Sequence, residues 1–306
     1  MPGIAMDLPA GWPSSLCLHV GAHKTATTHF QHGLRGAKDD LLAAGVRVLT
    51  PQDLRAGAPL GEQLGVSFPN GGRRPDWSEA RLADLAGGAE RLALSEENIL
   101  GQLAGTSGFL DTTLYPQGAE RVAAIAEAVA PLPMTLALSI RDPANYVVSA
   151  YGQALLGGYG GKFADFALRL PIQAIDWVDL AERLVAVPQV TELVVWRQED
   201  YPAVAVEAAN ILAGAPLASD DWFAHGPSHP GLSAKAVERA LAAPEGAGRS
   251  RAAEAGRRAF PIKPGQPKFD PFDAEDKALS AEYYADQWLR MADLAQLRPL
   301  EPQAGA

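Results

Sequence analysis

The chain has 306 residues, 47% hydrophobic and 20% charged, enough for a sizeable core, and its formal net charge of -10 argues against coating nucleic acid or an anionic membrane while leaving a basic pocket for a small anion open. Cys17 is the only cysteine, which excludes an intramolecular disulfide and a cysteine-rich zinc site and points to a reducing compartment. Residues 1–15 lack the basic and apolar regions of a signal peptide, and no apolar run approaches the ~18 residues of a membrane span, so a soluble, cytoplasmic protein with neither a membrane nor a nucleic-acid partner is expected.

In chain order, five short apolar runs read as buried strands: Leu16–Gly21, Val46–Leu49, Arg91–Ser95, Met134–Ile140 and Glu192–Arg197. Segments of helical character lie between and after them. Thr27–Ala44 follows the first strand, with Phe30, Leu34, Leu41 and Leu42 as its apolar positions. Ala119–Ala130 precedes the fourth strand, Asn145–Leu156 and Ile175–Val187 follow it, and Val204–Leu212 follows the fifth. Strands alternating with helices predict an α/β fold, a parallel β-sheet flanked by helices. The stretch 60–75 is rich in Gly, Pro and Arg and reads as a loop, and Gly157–Gly161 reads as a flexible joint. Between 243 and 271, Gly, Pro, Arg and Lys accumulate and interrupt the helical patterns of Ser233–Leu241 and Ala274–Leu294. The expected organisation is one domain over 1–306, an α/β core at 16–215 with a helical C-terminal cap at 216–306, and there is no internal repeat.

Chemistry concentrates first in Gly21-Ala22-His23-Lys24-Thr25-Ala26-Thr27-Thr28, between the first strand and the first helix. Such a loop aims several backbone N–H groups at one place, a helix N-terminus adds favourable potential for an anion, and lysine and threonine supply a point charge and short donors. A phosphate or sulfate site follows. The pattern is not G-x-x-x-x-G-K-[ST], because no second glycine precedes Lys24 and Ala26 follows it. The plainer alternative is a strand-to-helix turn with a threonine N-cap and a solvated lysine. A second concentration is Ser139-Ile140-Arg141-Asp142-Pro143 at the end of the fourth strand, where open α/β sheets bind ligands. Ser149 lies eight residues beyond Arg141 in the next helix, so both side chains can reach one anion. An ion pair for Arg141 and a bond from Ser149 to its own helical turn are the structural alternatives.

His19 to Thr28 resembles the 5′-phosphosulfate loop of sulfotransferases that use 3′-phosphoadenosine-5′-phosphosulfate (PAPS), and the strand–Arg141–Pro143–helix–Ser149 arrangement resembles their 3′-phosphate motif. The resemblance spans roughly 16–212, implies a P-loop NTPase-like sulfotransferase fold, and implies PAPS as donor co-substrate with no metal. Carried over, Lys24 touches the oxygen bridging phosphate and sulfate, and His23, Thr25, Ala26, Thr27 and Thr28 line the 5′-phosphate. Arg141 and Ser149 bind the 3′-phosphate. Ala26 stands where the family has glycine, which strains the backbone if that position needs a positive φ.

Sulfuryl transfer needs a base for the acceptor and a cation for the leaving phosphate. Lys24 is expected to serve as the cation. Leu94-Ser95-Glu96-Glu97-Asn98 resembles the family's S-S-E stretch with Glu97 at its glutamate, and successive residues point apart, so one glutamate faces the pocket. His23 is the competing base, and His225 and His229 are candidates for an acceptor site. The histidines at 19, 23, 29 and 32 invite a metal site, but they are split between strand, loop and helix. Val194-Val195-Trp196-Arg197-Gln198-Glu199-Asp200 resembles a family segment in which Gln198 replaces a tyrosine near the adenine. Arg257, Arg258, Lys263 and Lys268 could close over the 3′-phosphate, or serve solubility. The expected activity is sulfuryl transfer from PAPS to a hydroxyl or amine of a small-molecule or carbohydrate acceptor. The alternatives are a non-catalytic nucleotide-binding protein and a P-loop kinase.

Overall fold

The computed structural model describes residues 8–56, 60–68, 78–106, 112–226 and 231–303. At its centre is a six-stranded, all-parallel sheet in the order β2-β3-β1-β4-β5-β6. Its strands are β1 (Ser15–His19), β2 (Val46–Leu49), β3 (Arg91–Ser95), β4 (Met134–Ile140), β5 (Val190–Arg197) and β6 (Leu297–Leu300). Helices α1 (Thr27–Gly36) and α2 (Lys38–Ala43) lead to β2, and α3 (Pro51–Leu54), α4 (Leu60–Leu64) and α5 (Glu79–Ala86) lead to β3. The crossover to β4 is α6 (Gly118–Val129), and that to β5 holds α7 (Pro143–Leu156), α8 (Phe163–Arg169) and α9 (Trp177–Val185). After β5 come α10 (Tyr201–Ala213), α11 (Ala234–Leu241), α12 (Ala247–Ala259) and α13 (Ala274–Ala292).

The apolar runs are continuous because both faces of the sheet are covered. Along β1, Leu16 and Leu18 enter one core with α6, α7 and α9, whereas Cys17 enters the other with α1, α2 and α10. The topology also fixes where the loops meet. The chain runs from β1 out to β2, returns to β3 beside β1, then crosses to β4 on the other flank of β1. The strand order therefore reverses at β1, and the loops leaving β1, β3 and β4 converge at one carboxyl-edge crevice.

All five expected strands are present. The sixth was not anticipated: Leu297-Arg298-Pro299-Leu300 carries an arginine and a proline, which an edge strand tolerates because one side of its ladder faces away from the sheet. The single helix expected over Thr27–Ala44 is two, broken at Ala37 after Gly33 and Gly36. Gly33 is small because Phe223 packs on it; an added Cβ would lie 2.5 Å from that ring. In the 60–75 loop, residues 60–64 form α4, and residues 69–75 lie outside the described residues.

The expected interruption at 243–271 contains α12. Its Gly256 lets α12 approach α11 closely, since a Cβ there would sit 3.1 Å from the Ala236 backbone. The glycines at 157–161 likewise mark close approach. Gly158 accepts from the amide of Gly246 at 3.0 Å, and buried Arg249 donates to the carbonyls of Gly160, Leu241 and Ala243. Among the described residues no helix is long and apolar enough to cross a membrane.

Candidate active site at the carboxyl edge of the sheet

Beyond β1, the backbone stays in register with β4 as far as residue 22: Val20 N–H donates to Ala137 O at 2.9 Å and Ala22 N–H to Ser139 O at 3.0 Å. Gly21 has no room for a side chain, because a Cβ would fall within 2.7 Å of Thr27 Cγ2, His19 Nε2 and Ser139 Oγ. The loop then turns through two left-handed residues, Lys24 at φ 69° and Ala26 at φ 67°. The left-handed region costs an L-residue about 1–2 kcal/mol. The expected strain at Ala26 is therefore present.

Ala26 is also the N-cap of α1, where it offers no side-chain acceptor, and the first turn carries no acidic residue. The amides of Thr27 and Thr28 open the helix without an intrahelical acceptor, so its positive end is left for an anion. Thr25 points inward: its buried hydroxyl lies 2.5 Å from both Ala22 O and Ser139 Oγ. Thr27 is buried and Thr28 half-buried.

His23 faces sideways. Its amide nitrogen and Nδ1 each lie 2.9 Å from the hydroxyl of Tyr115, and Nε2 lies 3.1 Å from Asn98 Oδ1. Burial pushes the imidazole pKa down, with Glu97 opposing. His19, wholly buried, stacks on Trp196 with ring centroids 5.5 Å apart, and burial lowers its pKa to about 4. It is a neutral packing residue of the strand.

Across the crevice, Arg141 donates from Nη1 to the carbonyl of Lys24 at 2.8 Å, and its buried Nε finds no acceptor among the described residues. A cavity of about 20 Å³ is bounded by Lys24, Ser149, Gln153, Arg257 and Lys268. Its lining carries three cations and no carboxylate. Lys24 Nζ is 3.4 Å from Gln153 Oε1. Burial lowers the Lys24 pKa to about 8, reinforced by Arg141 and Arg257 and opposed by Glu97. Of the four cap cations singled out in the sequence, Arg257 and Lys268 reach this cavity, whereas Arg258 and Lys263 are exposed. Val148, Lys268 and Phe269 also line a second cleft of about 850 Å³, bounded further by Asp142, Asn145, Glu199 and Tyr284.

The two glutamates after β3 both reach Arg55 Nη2, so their carboxylates meet at one guanidinium rather than pointing apart. Glu96 is buried, caps the 3₁₀ turn Glu97–Ile99 by accepting from Asn98 N–H at 2.9 Å, and takes a bidentate pair from Arg55. Glu97 accepts from Gln31 Nε2 and from Arg55 Nη2, each at 3.0 Å. Burial raises its pKa, but the bonds from Gln31 and its own backbone, with His23 and Arg55, outweigh this and hold the carboxyl below its usual value.

The remaining candidates lie elsewhere. His29 is bonded to Tyr201 Oη at 2.8 Å and to His225 O at 3.0 Å, and the His29 and His225 rings are 4.0 Å apart. His229 lies outside the described residues. Among the described residues no three His, Cys, Asp or Glu side chains are grouped to hold a metal ion. Gln198 continues the sheet edge, its amide donating to Ile140 O at 2.7 Å.

Four partners of the site escaped the sequence reading: Arg55, Gln31, Tyr115 and Gln153. Arg55 follows β2 at the same sheet edge as Glu97, and Gln31 lies one helical turn beyond Thr27, so edge and helix-face arguments could have found both. Tyr115 carries no local signal.

No model of a protein family matches the chain, and no curated protein matches it. Among solved structures, the chain is similar to a sulfotransferase from Alicyclobacillus acidocaldarius at 14% sequence identity and a TM-score of 0.40, over 75% of this chain and 91% of that one.

Proposed function

We propose that this chain transfers a sulfuryl group from PAPS to a hydroxyl or amine of a small-molecule or carbohydrate acceptor. The supporting observation is that Lys24 and Ser149, from the two candidate elements, line one small cationic cavity, and that Arg141 is bonded to the Lys24 carbonyl beside it. One element is the left-handed loop with the uncapped start of α1, and the other is Arg141 with Ser149. Lys24 belongs to both, since its carbonyl is braced by Arg141 and its side chain lines the cavity with Ser149. In this reading the loop and the first amides of α1 hold the 5′-phosphosulfate, while Arg141, Ser149, Arg257 and Lys268 hold the 3′-phosphate. The adjoining 850 Å³ cleft is of the size that takes a nucleotide-sized ligand.

Glu97 is kept ionised and receives the acceptor's proton; of the roughly four acceptor positions of its carboxylate, Gln31, Arg55 and its own backbone N–H take three and leave one. The acceptor oxygen or nitrogen bonds to sulfur as the bond from sulfur to the bridging oxygen breaks. The Lys24 ammonium stabilises the charge that this oxygen carries away on 3′,5′-ADP. His23 suits the base role less well, because both its ring nitrogens are already hydrogen-bonded.

Calorimetry with 3′,5′-ADP against ATP plus Mg²⁺ tests the donor assignment. Binding of 3′,5′-ADP supports it; binding of ATP alone would return the site to a kinase reading. A second reading, a nucleotide-binding protein without turnover, is favoured by the strained Ala26. Transfer of labelled sulfate from PAPS to a panel of alcohols, phenols, sugars and amines separates the two.

A further inference from the structure

The described residues include three non-glycine positions with positive φ, namely Lys24, Ala26 and Tyr115 at φ 48°. Two are in the loop. The third is 92 residues from His23 in sequence, yet its hydroxyl touches it. Backbone held in such a region persists only where its surroundings impose it.

We propose that Tyr115 is a positioning residue for Lys24, acting through His23; this rests on reading the loop as the donor site. The buried Tyr115 ring lies nearly parallel to the His23 imidazole, centroids 5.7 Å apart at 20°. Its hydroxyl meets three groups: the His23 amide nitrogen and Nδ1 at 2.9 Å, and Tyr146 Oη at 3.0 Å. A phenol has one proton and two acceptor positions. With the imidazole neutral, as its burial favours, one arrangement serves every contact. Tyr115 donates to Nδ1 and accepts from the His23 amide and from Tyr146, and His23 Nε2–H donates to Asn98 Oδ1 at 3.1 Å. The imidazole is thereby fixed as the neutral Nε2–H tautomer.

Lys24 then lies between two anchors. On one side Tyr115 holds the His23 amide, and on the other Arg141 holds the Lys24 carbonyl at 2.8 Å. The Tyr115 anchor is itself fixed, because Arg183 donates to the carbonyls of Leu114 at 2.6 Å and Tyr115 at 2.9 Å while paired with Asp179 at 2.8 Å. Asn98 directly follows Glu97, so His23 also ties the loop to the end of β3 that carries the base.

The experiment is NMR on the full chain, reading the ¹⁵N shifts of His23 and the ¹³Cα and ¹³Cβ shifts of Lys24, in the native protein and in Y115F. The native protein is expected to show the Nε2–H tautomer and the Lys24 shifts of a positive φ. In Y115F the tautomers mix and Lys24 moves toward ordinary helical or extended shifts. The Kd for 3′,5′-ADP rises about five- to fiftyfold, the scale of one buried group losing its partner. Arg183→Lys, which keeps the hydroxyl and loosens the Leu114 and Tyr115 carbonyls, gives the same changes in weaker form and serves if Y115F does not fold. A native Nδ1–H tautomer, or His23 and Lys24 shifts unchanged in the variants that fold, overturns the proposal. Should the native protein bind no 3′,5′-ADP, the donor reading fails on its own, and the spectra still decide whether Tyr115 positions Lys24.

Discussion

Arg141 donates a hydrogen bond to the carbonyl oxygen of Lys24 at 2.8 Å, so the side chain that would grip one end of the donor also braces the loop that would grip the other. The two residues should therefore not act independently. Lys24→Ala and Arg141→Ala are each expected to weaken 3′,5′-ADP binding at least tenfold, about 1.4 kcal/mol. The double variant should lose less than the sum, with a coupling of about 0.5–3 kcal/mol. A double-mutant cycle by calorimetry measures this, and additivity within about 0.5 kcal/mol would remove the brace from the account.

The lowered pKa of Lys24 gives the site a pH signature. Burial, Arg141 and Arg257 bring it to about 8, so the ammonium is present below that pH and lost above it. An anionic ligand favours the charged form and raises the pKa in the complex. Affinity for 3′,5′-ADP should accordingly be level from about pH 7 to 8 and then fall, approaching tenfold per pH unit until the pKa of the complex is reached. The fall should vanish in Lys24→Ala. A titration series that stays level to about pH 9.5 in the native protein contradicts the assignment.

Glu97→Gln keeps the shape and an acceptor oxygen but cannot take a proton. Turnover is expected to drop about 10²–10⁴-fold with 3′,5′-ADP affinity retained within a few fold. Measured by sulfate transfer alongside calorimetry, undiminished turnover would move the base to His23.

Ala26→Gly tests the loop strain. Glycine removes a left-handed penalty of about 1–2 kcal/mol but adds back about 0.4–1 kcal/mol of unfolded-chain entropy. The net expectation is a stabilisation of up to about 1.5 kcal/mol, read by urea unfolding. A net loss would mean that the alanine methyl makes contacts worth more than the strain.

Much of the fold was readable because a parallel sheet covered on both faces writes its strands as unbroken apolar runs, as in Leu136-Ala137-Leu138. Leu297–Leu300 escaped because an edge strand needs no such run, and α12 escaped because Gly248 and Gly256 look like helix breakers. Gly256 is there for contact with Ala236, a tertiary reason that no local pattern carries. The site divides in the same way. Lys24, Arg141, Ser149 and Glu97 sit at strand ends or on the helices that follow, where topology dictates convergence. Tyr115, Arg55 and Gln31 act across separations of 92, 42 and 66 residues, through contacts that no local motif announces. Glu96 is buried and Glu97 is less so, and Arg55 pairs with both, a sharing that adjacent glutamates in the sequence do not announce.

The excursion that carries Arg257 and Lys268 leaves the sheet at β5 and returns to it at β6. Both of its ends are stapled to neighbouring strands, so it is a closed bridge. A nascent chain would lay down the anion loop, Glu97 and Arg141 first. The last two cations come later in synthesis, on a segment that Gly246, Arg249 and Ser250 tie to the end of α7 and the glycines after it, so the pocket is completed by chain made after the rest of its wall.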